Sequence, residues 1–179
     1  MPNTLSWEEK LEVVKEAGFD YLEMSIDETE EKLARLDQPV DEIKKAIEKT
    51  GVPIKSICLS GHRKYPLGSH DPKIRERGMK IMEKAICLAA RLGVRVIQLA
   101  GYDVYYEQGD FQTIDYFKTN LKEAAIMAAK QGVLLGFETM ETPFMDTVEK
   151  SNGVCKRCGS GISWSISRHR KPEKCISFI

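Results

Sequence analysis

The sequence predicts an α/β fold in which helices alternate with parallel strands, and two observations support this prediction. A local pattern recurs four times in residues 1–150: a helix-like stretch ends at a glycine, and an apolar, β-rich run follows. The glycines are Gly18, Gly51, Gly93 and Gly132, spaced 33, 42 and 39 residues apart. Glycine closes a helix readily because it accepts left-handed backbone. Nearly continuous apolar runs such as "VRVIQLAG" are typical of parallel strands covered on both faces.

Three stretches ahead of these glycines have helical patterning. "SWEEKLEVVKEAG" begins with Ser6 and has Glu9 three residues later, which is a capping box. "DPKIRERGMKIMEKAICLAARLG" places Pro72 in its first turn and apolar residues near helical spacing, and "FQTIDYFKTNLKEAAIMAAKQG" is similar. Helices and strands that alternate at this period favour βα units and a parallel sheet.

Two folds of this class fit alternating helices and strands: a dinucleotide-binding fold and a (β/α)₈ barrel. No G-x-G-x-x-G follows any of the strands, which disfavours a dinucleotide-binding fold. A (β/α)₈ barrel fits better but typically takes about 250 residues. We therefore predict a partial (β/α)₈ TIM barrel, about four βα units of the N-terminal half, with an irregular C-terminal tail. Four strands alone also predict open sheet edges and an uncovered apolar face.

The composition changes at about Ser151. Residues 1–150 hold 21 Lys and Arg against 26 Asp and Glu, a balance of −5, whereas residues 151–179 hold six basic residues and one acid, a balance of +5. Three of the five cysteines lie in the second segment, and leucine and alanine are absent from it. We therefore predict a partial TIM-barrel domain over residues 1–150 and an aberrant, disordered tail over residues 151–179.

The whole-chain composition excludes several classes of protein. The formal net charge is zero, so no field recruits nucleic acid or anionic membrane. No apolar run approaches the roughly 18 residues of a membrane span, and "MPNTLSWEEK" lacks the features of a signal peptide. We expect a cytoplasmic protein with reduced thiols.

Three ionisable residues follow or end the apolar runs and are candidate site residues: Glu23, His62 and Glu138. Barrel enzymes carry their chemistry where strands end at the C-terminal rim. A carboxylate beside a buried run needs a partner, and a metal ion or a substrate hydroxyl would serve. The alternative is an acid that caps a helix or pairs with Arg or Lys. For His62 the alternatives are a substrate contact and an exposed loop histidine.

Four stretches carry a resemblance to a known family: "GFDYLEMSIDETEEKLARLD", "CLSGHRKYPLGS", "VRVIQLAGYDVYYE" and "GFETMETPFMDTVEK". Together they resemble the L-ribulose-5-phosphate (or L-xylulose-5-phosphate) 3-epimerases, which are xylose-isomerase-like barrels. The resemblance covers residues 3–150 almost without a gap. Some members are described as hexulose-6-phosphate isomerases, and that activity on the same scaffold stays an alternative.

The resemblance implies a metal-dependent epimerase that acts on a small sugar phosphate. Its divalent metal, such as Mn²⁺ or Zn²⁺, is held by a Glu, an Asp, a His and a second Glu, and the first of these matches Glu138. The two glutamates remove and return the proton next to the ketone, which the metal polarises. Glu23 and His62 would line the sugar. By the same resemblance, the full-length protein could form a homodimer.

The same resemblance implies that this chain is incomplete as an enzyme. It lacks the first strand of the family and the Asp, His and second Glu ligands. We therefore expect the fragment to be inactive and to hold no metal.

Residues 151–179 have two interpretations. The spacing of Cys155, Cys158, His169 and Cys175 could supply four zinc ligands in a small zinc-binding interaction protein. Alternatively, one extra base in a run of A near codon 150 shifts the reading frame. With suitable codons, the neighbouring frame encodes an aspartate in the context that the family has around its metal ligand. We favour the frameshift.

Overall fold

The computed structural model describes residues 4–158, 162–166 and 176–177. Its helices are α1 Trp7–Glu16, α2 Glu30–Leu33, α3 Val40–Thr50, α4 Pro72–Leu92, α5 Phe111–Lys130 and α6 Val148–Cys158. Its strands are β1 Leu22–Ile26, β2 Ile54–Leu59, β3 Val96–Ala100, β4 Leu134–Glu138, β5 Ile162–Ile166 and β6 Ile176–Ser177. No helix in these ranges is long and apolar enough to cross a membrane.

The strands form one sheet in the order β5-β4-β3-β2-β1-β6, and every pair is parallel. Strands β1 to β5 therefore lie side by side in chain order, with α3, α4, α5 and α6 as the crossover helices. This is the arrangement of consecutive βα units in a barrel, and it confirms the predicted α/β fold, in which four parallel strands, β1 to β4, alternate with helices.

The four repeat glycines close the helices as predicted. Gly18, Gly51, Gly93 and Gly132 all have positive φ, between 66° and 76°. Gly51 and Gly93 are the C-terminal caps of α3 and α4 in left-handed conformation. The capping box of Ser6 and Glu9 is also present at the start of α1. These local signals position the strands, because each strand begins a few residues after a glycine.

The two faces of the sheet differ, and this corrects the prediction of an uncovered apolar face. Alternate residues of β1 to β4 belong to the buried hydrophobic core: Leu22, Met24, Ile26, Ile57, Leu59, Ile97, Leu99, Leu135 and Phe137. The intervening residues project from the opposite face: Glu23, Ser25, Ser56, Cys58, Val96, Gln98, Ala100, Gly136 and Glu138. The second face is therefore mainly polar rather than an uncovered apolar surface, and at β1 both faces are buried.

The composition boundary at Ser151 does not coincide with a break in the described structure. Helix α6 crosses it, and Ser151, Val154 and Cys155 on this helix are buried. Further along, β5 pairs with β4, and β6 pairs with β1. The described parts of residues 151–179 are thus regular elements. Among the described residues, the buried Ser151 hydroxyl has no hydrogen-bond partner.

Candidate active site

Polar side chains from four neighbouring strands form a row on the second face of the sheet. The Ser56 hydroxyl of β2 donates to Glu23 Oε2 of β1 at 2.5 Å. On the far side of the row, Gln98 Nε2 of β3 donates to Glu138 Oε2 of β4 at 2.8 Å. Cys58 lies opposite Gln98 in the strand register. The row therefore places a carboxylate at each end with neutral polar groups between them.

The Cys58 thiol is subject to the charges of both carboxylates. Burial raises the pKa of Cys58 to about 12, and the negative charges of Glu23 and then Glu138 contribute to the rise. Both carboxylates are therefore within electrostatic range of the thiol, which stays protonated at neutral pH. Cys58 is thus a neutral polar group of the row and not a nucleophile.

Glu138 ends β4, as the sequence predicts. Its side chain is half-buried, and Gln98 fixes one carboxylate oxygen. The loop after β3 packs directly against it, since Gly101 N donates to the Glu138 carbonyl at 3.0 Å. A Cβ on Gly101 would lie 2.6 Å from that carbonyl oxygen, so the approach requires glycine. Glu138 is therefore a positioned carboxylate at the C-terminal edge of the sheet.

Glu23 lies elsewhere than the sequence predicts. It is the second residue of β1 and not a strand-end residue, because the strand continues to Ile26. The register aligns Glu23 with Ser56, Val96 and Leu134, four residues before Glu138 on β4. Only 7% of the surface of Glu23 is exposed. Glu23 therefore lies deep in the row, away from the C-terminal edge of the sheet.

His62 is buried and is not an exposed loop histidine. It lies in a 3₁₀ turn, Gly61–Arg63, with 6% of its surface exposed. Its Nε2 is 3.1 Å from the carbonyl oxygen of Gly78 on α4, so this nitrogen donates. Gly78 permits the close contact, since a Cβ there would lie 2.4 Å from the Tyr65 carbonyl oxygen. The hydrogen bond of His62 thus connects the turn after β2 to α4.

His62 predicts a pH dependence of stability. Burial lowers its folded-state pKa to about 4, below the roughly 6.5 of an unfolded chain. Between these values the unfolded state binds the proton first, so stability is full above about pH 6.5 and falls as the pH approaches 4. The full loss is about 3 kcal/mol. Urea unfolding from pH 7 to 4 should show a smaller loss in His62→Gln, which keeps a donor for Gly78.

A matched control is available for this pH dependence. His70 is exposed and pairs with Asp110 at 3.3 Å, so His70→Gln should keep the decline seen in the wild type between pH 6.5 and 4. A decline in His62→Gln as steep as that of the wild type would show that other groups cause it.

Aromatic and charged side chains stand at the edge of the row, in the turns after β1, β2 and β3. The Arg63 guanidinium lies 5.7 Å from the Tyr105 ring centroid. Tyr105 contacts both Tyr102, at 5.0 Å between centroids, and Tyr106, at 4.9 Å. The Tyr106 hydroxyl donates to Glu28 at 2.9 Å. We call Arg63, Tyr102, Tyr105, Tyr106 and Glu28 the tyrosine rim.

The described residues do not fit a complete metal site. Among them, no three His, Cys, Asp or Glu side chains are grouped closely enough to hold an ion. Glu138 supplies one possible carboxylate ligand, and its neighbour Gln98 carries an amide. Cys155 is packed into the hydrophobic core, which leaves its thiol poorly placed for a zinc site, and His169 and Cys175 lie outside the described residues.

Comparison with known proteins agrees with this architecture. The profile of a family described as "Xylose isomerase-like TIM barrel" matches residues 11–162. The chain belongs to the xylose isomerase-like TIM-barrel family.

Two curated relatives in this family share 46% identity with the chain. One is the putative L-ribulose-5-phosphate 3-epimerase SgbU of Haemophilus influenzae, matched over 153 residues, 84% of this chain and 54% of the relative. The other is the L-ribulose-5-phosphate 3-epimerase UlaE of Escherichia coli O157:H7, matched over 156 residues, 86% of this chain and 55% of the relative. The chain therefore spans about half the length of the relatives that it matches.

Two solved structures share the fold at low sequence identity. The 3-keto-D-glucoside 4-epimerase YcjR of E. coli superimposes with a TM-score of 0.74 at 19% identity, covering 89% of this chain and 62% of that one. A barrel from Mycobacterium smegmatis in complex with magnesium has a TM-score of 0.68 at 17% identity, covering 92% and 56%. At least one structure of this fold thus binds a divalent metal.

Sequence reasoning missed Ser56, Gln98 and the tyrosine rim. Alternation in "KSICLS" could have identified Ser56, since polar residues there recur every second position among apolar ones, and Gln98 is the one polar residue of "VIQLA". The partners of the rim come from three different turns, and no local pattern links them.

Proposed function

We propose that the described half-barrel is the N-terminal half of a metal-dependent L-ribulose-5-phosphate 3-epimerase, in which Glu138 carries a proton. The observation that carries this proposal is the carboxylate of Glu138, held by Gln98 at the C-terminal edge of the sheet on its polar face. The 46% identity to two L-ribulose-5-phosphate 3-epimerases supports the choice of substrate.

The reaction needs a base and an acid on opposite sides of one carbon. The C3 hydrogen of a 2-ketose is acidic because the neighbouring ketone accepts the electron pair when the C–H bond breaks. In the proposed reaction Glu138 takes the C3 proton on one face, and a second acid returns a proton to the other face, which inverts C3. The hydrogen bond from Gln98 holds one oxygen of Glu138 and so orients the carboxylate.

The neutral groups of the row suit a polyhydroxylated substrate. The Ser56 hydroxyl and the Gln98 amide can exchange hydrogen bonds with sugar hydroxyls. The Glu23 carboxylate accepts a hydrogen bond from the Ser56 hydroxyl and would thereby orient it toward the sugar. His62 would act indirectly, by holding the turn that carries Arg63. The second proton carrier and the remaining metal ligands would come from the half of the barrel that this chain does not match.

Deuterium incorporation distinguishes the proposed reaction from ketose–aldose isomerisation. A barrel completed with the second half that the relatives possess should, in D₂O, place deuterium at C3 of L-ribulose 5-phosphate and form L-xylulose 5-phosphate. Isomerisation of a hexulose phosphate would instead exchange hydrogen at C1. NMR of the recovered sugar reads both positions, and exchange confined to C1 would contradict the proposal.

A further inference from the structure

We propose that Asp103 is a positioning residue that closes the loop over residues 103–113 and thereby sets the tyrosine rim for capture of the sugar. The inference rests on the proposed function, because it concerns how the substrate is held at the edge of the row. The loop follows β3, leads into α5 and presents Tyr105 and Tyr106. Asp103 acts through these tyrosines and does not itself touch the reacting carbon.

The two ends of the 103–113 loop meet at a buried hydrogen bond. The Thr113 hydroxyl donates to Asp103 Oδ2 at 2.5 Å, and the two residues are 0% and 6% exposed. The same hydroxyl lies 2.8 Å from the Asp110 carbonyl oxygen, but the carboxylate is the closer and the stronger acceptor. Compact surface loops whose ends lie close together are a recurrent element of proteins. Asp103 is the acceptor that closes this one.

The backbone of Asp103 anchors the loop that follows β2 as well. Gly68 N donates to the Asp103 carbonyl at 3.1 Å. A Cβ on Gly68 would lie 2.6 Å from that oxygen and 2.5 Å from the Thr113 carbonyl oxygen, so the close approach requires glycine. Arg63 belongs to the same segment between β2 and α4. Asp103 therefore joins the two loops that carry Arg63 and the tyrosines of the rim.

The tip of the 103–113 loop is exposed, unlike its base. Tyr105 and Tyr106 are 39% and 67% exposed, whereas Asp103 and Val104 beside them are buried. The Tyr106 hydroxyl donates to Glu28 at 2.9 Å, and both groups are exposed to water. A hydrogen bond in water adds little net stability, because water competes for both partners. The buried bond at the base therefore fixes where the tyrosines stand.

The division between loop and strands predicts which kinetic constant depends on Asp103. Gln98 and Glu138 lie on β3 and β4, so the groups proposed for proton transfer are held by the sheet. The tyrosines are held by the loop. A change that weakens binding of the substrate and of the transition state equally raises KM and leaves kcat unchanged. Loosening the loop should have this effect.

Chymotrypsin cleavage of the 179-residue chain tests whether Asp103 closes the loop, since the protease cuts after aromatic residues in segments that open. Asp103→Ala should raise the rate of cleavage after Tyr105 and Tyr106 about tenfold or more, because a charge-assisted hydrogen bond at the base is lost. Asp103→Asn keeps an acceptor for Thr113 and should lie between. Cleavage after Phe137, which is buried in β4, reports opening of the sheet and should rise far less.

A matched control and a kinetic experiment complete the test. Asp115 is an aspartate on α5 whose side chain is 79% exposed, so Asp115→Ala should leave every cleavage rate unchanged. In the completed barrel, Asp103→Ala should raise KM for L-ribulose 5-phosphate about tenfold and change kcat by less than about threefold. Asp103→Asn should recover part of the loss in KM.

Two groups of results would overturn the inference. Unchanged cleavage after Tyr105 and Tyr106, or equal acceleration after Phe137, would show that Asp103 does not close the loop specifically. In an active completed barrel, a fall in kcat with unchanged KM would remove Asp103 from substrate capture while the proposed function stands. If the completed barrel is inactive with Asp103 intact, the proposed function fails and capture with it, whereas faster cleavage in Asp103→Ala would still support closure of the loop.

Discussion

Glu138→Gln in the completed barrel is expected to lower kcat for L-ribulose 5-phosphate by at least 10²–10⁴-fold. A general acid–base group typically contributes this factor, which corresponds to roughly 3–5 kcal/mol of barrier. Glutamine keeps the shape of the side chain and can still pair with Gln98, so the fold should persist. Steady-state kinetics with unchanged circular dichroism would establish the effect.

The matched control for this prediction is Glu141→Gln. Glu141 is an exposed carboxylate three residues after Glu138, so its neutralisation removes a nearby charge without changing the proposed proton carrier. We expect activity near that of the unmodified barrel. A Glu138→Gln enzyme that retains more than about a tenth of the activity would remove Glu138 from the proton transfer.

The 179-residue chain itself is expected to show no epimerisation of L-ribulose 5-phosphate with Mn²⁺, Mg²⁺ or Zn²⁺. A lone carboxylate holds a divalent ion weakly, and the described residues contain no group of three ligating side chains. The second proton carrier is also missing from the proposed site. The measurement is conversion to L-xylulose 5-phosphate at high enzyme concentration. Turnover that disappears in Glu138→Gln would show that half a barrel suffices.

Local patterns were enough to predict the order of the elements. The repeat glycines close helices through their own backbone conformation, and the capping box of Ser6 and Glu9 lies within four residues. Such signals depend on neighbours in the chain, so a single sequence contains them. Glu138 was predicted as a strand-end carboxylate for the same reason, because the apolar run stops there.

The contents of the site depend on contacts between distant segments. Gln98 meets Glu138 only because β3 and β4 pair in one register. His62 is buried because Gly78, on another element, lets the turn approach α4. Glu23 was placed too late in its strand, since a continuous apolar run does not mark where pairing begins. Register and close approach are tertiary properties, which explains why the sequence predicted the fold better than the site.

The frameshift and the zinc-site interpretations differ in how they explain residues 151–179. The frameshift account treats them as translated from the wrong frame. The zinc account requires ligands from Cys155, Cys158, His169 and Cys175, although Cys155 is part of the core.

The nucleotide sequence around codon 150 and downstream of it tests the central claim most directly. We expect a run of A with one base too many. In the restored frame, an aspartate should follow Glu138 after one further strand, and a His and a Glu should appear after later βα units. An early stop codon in that frame, or a frame without these residues, would contradict the claim that this chain is half of an epimerase barrel. The cysteines and His169 would then have to be tested as a zinc site.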